Sequence, residues 1–245
     1  MHRALRLDRV VIVQPSVYGS DNACTLDGLR QLGSSARGVA VIDDMTPETT
    51  LDDMDRSGVR AIRVSLESAG QTDLAVSRRR FQAAVDRITG RNWHIQIYTR
   101  LSVIEGINDQ VMGSPVPVVF DHFGGAQGTL GVRQAGFEAL LNLVQVGKAY
   151  VKISAPYRSS TQSPHYPDVA PLASALIAAN PQRILWGSDW PHPDASHVAG
   201  RKATDIAPPY QIDDVRVFNQ LAVWAPDPAQ RETILVENPA RLYGF

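Results

Sequence analysis

Seven short runs rich in Val and Ile recur along the 245 residues, and segments with helical spacing separate them. The runs are Val10–Val13, Gly38–Ile42, Ala61–Leu66, His94–Tyr98, Val116–Phe120, Tyr150–Ile153 and Arg183–Trp186, each bounded by turn residues. Strand followed by helix without hairpin turns means parallel strands joined by crossover helices. Near-continuous apolar strands mean a sheet covered on both faces. The intervening helices carry their own signals. Thr46-Pro47-Glu48 reads as an N-cap followed by proline at the first helical position, with Gly58 as the stop. Phe81, Ala84, Val85 and Ile88 form one apolar stripe, and Phe137, Leu140, Leu141 and Val144 another. Asp168 is expected to cap the next helix, Val215, Phe218, Leu221 and Ala222 to share a face, and Asp227-Pro228 to open the last helix.

A barrel and a doubly wound open sheet both satisfy this pattern. No Gly-x-Gly-x-x-Gly follows the first strand, which removes the main argument for a dinucleotide-binding sheet. Polar residues instead gather at the outgoing ends of several strands: Ser16, Arg63, Tyr98, His122, Ser154 and Asp189. Chemistry fed by many strand ends is the arrangement of a (β/α)8 TIM-like barrel. That fold closes with eight strands and only seven are read, so the first strand is expected to be missing. Residues 2–8 look like the tail of a helix that feeds Val10. The whole chain, 1–245, is read as one N-terminally truncated barrel domain.

Composition excludes several function classes. Formal charge is −1, with 24 basic against 25 acidic side chains, so there is no polyanion-binding signature and no nucleic-acid partner is expected. The single Cys24 rules out an intrachain disulfide and a cysteine-clustered zinc site, and is read as a packed or inert thiol. No apolar run reaches membrane-span or signal-core length, so no membrane partner and a cytoplasmic location are expected.

The strongest chemical cluster is Trp186-Gly187-Ser188-Asp189-Trp190-Pro191-His192. Alternation puts Leu185, Gly187 and Asp189 on one face, with glycine leaving room below the carboxylate. A loop aspartate holding a turn is the structural alternative, and position and company favour function. The second cluster is Asp121-His122-Phe123-Gly124-Gly125, where His122 precedes a glycine pair suited to a tight turn. Asp121 is expected to face the other way and anchor the strand from behind. Tyr98 shares a face with His94 and Gln96, and is as readily a packed tyrosine as a ligand contact. Arg63, Arg158 and, with less weight, Lys152 are clamps for substrate carboxylates or members of internal salt bridges. Arg78-Arg79-Arg80 reads as the solvated face of a helix.

In this order, these residues resemble the amidohydrolase superfamily (amidohydrolase 2 family), in the lactonase branch that acts on 2-pyrone-4,6-dicarboxylate and related lactones. The resemblance rests on Gln14-Pro15-Ser16, Tyr18-Gly19-Ser20-Asp21-Asn22, Gly38–Ile42, Gly58–Arg63, Val119–Gly124, Val151–Ser154, Trp186–His192 and Glu237-Asn238-Pro239, running from about Val10 to the C-terminus. It implies a distorted (β/α)8 barrel of the metal-dependent hydrolase type and a lactone-opening hydrolase of aromatic catabolism. It casts Asp189 as the aspartate that activates water and His122 as the group that polarises the lactone carbonyl. Tyr98, Arg63, Arg158 and Ser16 would hold substrate oxygens and carboxylates. No cofactor is expected in this branch, with a divalent metal such as zinc as the alternative. The partner is a small carboxylated lactone, and a homo-oligomer is compatible.

The pattern departs from the family at two places. No His-x-His pair precedes Val10, and His2 is isolated, which keeps an inactive truncated remnant as an alternative. Glu67-Ser68-Ala69-Gly70 stands where the dicarboxylate lactonase has a further arginine, which favours a sugar-acid lactone, hydrolysed or isomerised.

Overall fold

A computed structural model describes residues 2–66, 73–194, 202, 205–206 and 208–245. The Glu67–Gly70 departure lies outside the described residues. Seven strands are present: β1 (Val10–Val13), β2 (Ala36–Ala40), β3 (Val59–Ser65), β4 (His94–Tyr98), β5 (Val118–Phe120), β6 (Ala149–Ser154) and β7 (Ile184–Gly187). They pair in chain order and all parallel, forming a curled half-barrel. At least one helix joins each consecutive pair. Among the described residues no pairing closes β7 onto β1. No described helix is long and apolar enough to cross a membrane.

Alternation along the strands sends one set of side chains outward under the helices and the other into the curl. The outer set joins Phe81, Val85, Ile88, Phe137, Leu140 and Leu176 in the main core. Replacing Phe81, fully buried there, by alanine would cost about 3–5 kcal/mol. The inner set is smaller: Val39, Ala61, Val119, Tyr150 and Leu185 pack around Tyr243, which the C-terminal helix Asn238–Tyr243 delivers into the interior. Asn238 fixes that helix to β7, donating to the carbonyls of Pro181 and Ile184 at 2.8 Å each.

Several local expectations are corrected. Leu141 is half-buried, and Leu143 completes the stripe of Phe137, Leu140 and Val144. Pro47 occupies the N-cap of Glu48–Arg56, while the Thr46 hydroxyl bonds to Asp43. Asp168 does not cap a helix; its carboxylate takes the Ser160 hydroxyl at 2.5 Å. The helix expected through Val215 to Ala222 breaks at Gln220, whose side chain is drawn to the His165 carbonyl. The buried face is Val217, Leu221 and Trp224, at helical spacing across the break, and Val215 and Ala222 are exposed. Cys24 is exposed rather than packed. Asp227 does open the last helical segment, accepting from the Ala229 amide.

Candidate active site

The polar strand ends converge because parallel strands all leave the sheet on one side. Arg63 lies in β3, Tyr98 ends β4, His122 follows β5, Ser154 ends β6 and Asp189 follows β7. At His122 and Asp189 the backbone is left-handed, with φ 49° and 59°. Such conformations are costly for residues with a Cβ and persist only where the surroundings enforce them. The glycine pair after His122 has a steric reason: a Cβ on Gly125 would sit 2.5 Å from the Thr99 carbonyl oxygen.

His122 Nε2 faces Asp189 Oδ1 at 3.6 Å, beyond hydrogen-bond reach. The other ring nitrogen, Nδ1, meets the Ser154 hydroxyl at 2.9 Å. Asp189 Oδ2 accepts two bonds, from the Tyr157 hydroxyl at 2.5 Å and from Arg158 Nε at 2.7 Å. The carboxylate is thereby anchored through one oxygen and presents the other to His122. Burial pushes the His122 imidazole below its ordinary value, and the attraction of Asp121 and Asp189 only partly offsets it. Burial and then Asp189 push the Tyr157 hydroxyl up, so it stays protonated. Arg158 is committed through Nε to Asp189 and through Nη2 to the Pro193 carbonyl.

Asp121 does not anchor its strand from behind, as the sequence led us to expect. It points into the curl, buried, where it meets Lys152 Nζ at 3.1 Å and Gln96 Nε2 at 2.9 Å, with Arg63 Nε at 3.9 Å. The same-face pairing of Gln96, Lys152 and Asp121 across adjacent strands produces this, and the left-handed turn after Asp121 swings His122 over the same mouth. Burial alone would raise the Asp121 carboxyl; Lys152, His122 and Arg63 outweigh it and hold it low. Burial likewise works against the Lys152 charge, and Asp121 restores it, raising the ammonium above its usual value.

Arg63 Nη1 reaches the Ser16 hydroxyl at 3.1 Å, and its guanidinium lies 5.9 Å from the Tyr98 ring centroid. Tyr98 in turn stands edge-on to His122 at 5.6 Å. Arg63, Ser16, Tyr98, His122, Asp189 and Arg158 therefore form one connected group. Tyr157 and Ser154 belong to it as well. Sequence reasoning overlooked Tyr157; the available signal was its place beside Arg158, just past a strand ending in Ser154.

The donor set does not fit a zinc ion. Among the described residues no three His, Cys, Asp or Glu side chains cluster as ligands. The one carboxylate opposite His122 already carries a guanidinium at 2.7 Å, which competes with a divalent cation, and zinc ordinarily takes three protein ligands or more.

A family model described as Amidohydrolase matches residues 1–245. The chain is 32% identical over 240 residues to a 4-sulfomuconolactone hydrolase from Rhizobium radiobacter, covering 98% of this chain and 77% of that protein. It is 30% identical over 244 residues to a 2-pyrone-4,6-dicarboxylate hydrolase from Comamonas testosteroni, covering 96% and 75%. A D-galactarolactone isomerase from Agrobacterium fabrum is 31% identical over 241 residues, covering 98% and 77%. A Pseudomonas putida structure described as a candidate 2-pyrone-4,6-dicarboxylic acid hydrolase superposes with TM-score 0.81 at 28% identity, covering 99% of this chain and 84% of that one.

Proposed function

We propose that this chain, which belongs to the amidohydrolase family, is a hydrolase that opens the lactone ring of a small carboxylated compound, with water activated at Asp189. The carrying observation is the 3.6 Å approach of His122 Nε2 to Asp189 Oδ1 at the mouth formed by the strand ends. Ester cleavage needs a base for water and a donor for the developing oxyanion, set close together. The mechanism takes a neutral His122 with its single proton on Nε2, facing the pocket, and Nδ1 accepting from the Ser154 hydroxyl 2.9 Å away. A carbonyl oxygen accepts that proton while water, held on Asp189 Oδ1, attacks the carbonyl carbon. Asp189 takes the water proton and returns it to the departing ring oxygen.

Substrate carboxylates fall to Arg63 with Ser16 and Tyr98, because Arg158 is engaged in holding Asp189. No step is assigned to a metal. The relatives support lactones as the substrate class, and 2-pyrone-4,6-dicarboxylate, in aromatic catabolism, is the first candidate. A balanced charge and one exposed thiol suit a reducing cytoplasm. A second reading is isomerisation of a sugar-acid lactone, supported by the galactarolactone isomerase relative.

The test is to incubate purified protein with 2-pyrone-4,6-dicarboxylate, 4-sulfomuconolactone and galactarolactone, following proton release and product mass. Hydrolysis adds one water and releases a proton; isomerisation leaves the mass unchanged and favours the second reading. Failure to convert any of the three overturns both.

A further inference from the structure

Behind Asp189 runs a line of polar contacts that the lactone chemistry above leaves unused. The Tyr157 hydroxyl, which donates to Asp189 Oδ2, also lies 3.2 Å from His192 Nδ1. On the far side of that ring, Asp214 Oδ1 lies 3.2 Å from His192 Nε2, out of line for a hydrogen bond. His192 is buried and Asp214 is partly open to solvent, so the line leads from the pocket wall toward the surface. The fold takes trouble to place this ring. His192 adopts φ 60°, its amide donates to the Asp189 carbonyl at 2.8 Å, and its carbonyl accepts from the Tyr210 amide at 2.9 Å. Among the described residues, the other charged or titratable groups near it are Arg158, through the Pro193 carbonyl, Tyr210 against the Tyr157 ring, and Asp194, which accepts from the Tyr210 hydroxyl.

A tyrosine hydroxyl has one proton, and here two neighbours compete for it. If Tyr157 donated to His192, Asp189 Oδ2 would lose one of its two anchors and the carboxylate could turn. A proton on His192 Nδ1 prevents this, because the Tyr157 oxygen can then only accept from the ring and must give its own proton to Asp189. We propose that His192, held by its backbone bonds to Asp189 and Tyr210, is a positioning residue that commits the Tyr157 hydroxyl to Asp189 Oδ2 and so keeps Oδ1 aimed at the attacking water. This rests on the lactone-opening reading for its kinetic consequence, but not for the linkage itself.

The test is a cycle of variants. His192→Asn tolerates the left-handed turn but cannot reach Tyr157. With a lactone the parent opens, His192→Asn is expected to lower kcat about tenfold with KM nearly unchanged. In a Tyr157→Phe background it should have no further effect. A multiplying effect in that background, or a parent-like kcat in the single His192→Asn variant, would overturn the proposal. A second arm needs no substrate: the 15N resonance of His192 Nδ1 should shift when Asp189 becomes Asn, and should not shift when Tyr157 is already Phe. Equal shifts in both backgrounds would overturn the linkage. A parent that opens no lactone would remove the proposed function, and the resonance arm would still decide this one.

Discussion

Asp189 reaches His122 with one carboxylate oxygen while the other is pinned by Tyr157 and Arg158, so the two catalytic candidates face each other across 3.6 Å without bonding. That spacing is too long for a hydrogen bond, so neither Nε2 nor Oδ1 is used up by the other. A carboxylate anchored through Oδ2 has one oxygen left to accept a proton, which makes its chemistry directional.

Asp189→Asn keeps the shape and removes the base. Turnover of an accepted lactone should fall about 10²–10⁴-fold, with KM within a few-fold, since binding rests on other groups. Steady-state kinetics on folded variant checks this; a parent-like kcat would remove Asp189 from the mechanism.

Arg63 is the cation with a guanidinium edge turned toward Ser16 and Tyr98. Arg63→Met should raise KM for a carboxylated lactone about 10–100-fold, the worth of a charge-assisted bond, and leave a neutral lactone nearly unaffected. An equal effect on charged and neutral lactones would make Arg63 structural.

His94 is buried against the Tyr243 ring, and among the described residues neither of its ring nitrogens has a hydrogen-bond partner. Burial, and then Lys152, pull its pKa from 6.5 down to about 3. Below pH 6.5 the unfolded chain binds a proton that the folded one refuses, so stability is complete above that pH and is lost on acidification toward pH 3. The slope is at most about 1.4 kcal/mol per pH unit. Urea unfolding of the parent and His94→Phe from pH 7 to 4 should show the variant's curve to be flatter; parallel curves would count against this account.

A site whose acidic group is paired with arginine has little use for a divalent cation. Dialysis against a chelator, followed by added zinc, should leave lactone turnover within about twofold of the untreated protein. Loss on chelation with recovery on zinc would mean that the donor set has been misread.

The order, number and direction of the strands were legible in the sequence because they rest on local periodicity: short β-branched runs, helical stripes and glycine or proline stops are properties of neighbouring residues. Strand bounds came within about two residues, as backbone hydrogen bonding rather than hydropathy sets the ends. The gathering of Arg63, Tyr98, His122 and Asp189 on one side was legible too, because every parallel strand delivers its last residues to the same edge. What needed the tertiary structure was which polar group meets which. The inward turn of Asp121 onto Lys152, the two-handed hold of Tyr157 and Arg158 on Asp189, and Tyr243 filling the curl depend on sheet curvature and inter-strand register. Those are set by the sum of packing across the whole chain, and no local stretch of sequence contains them.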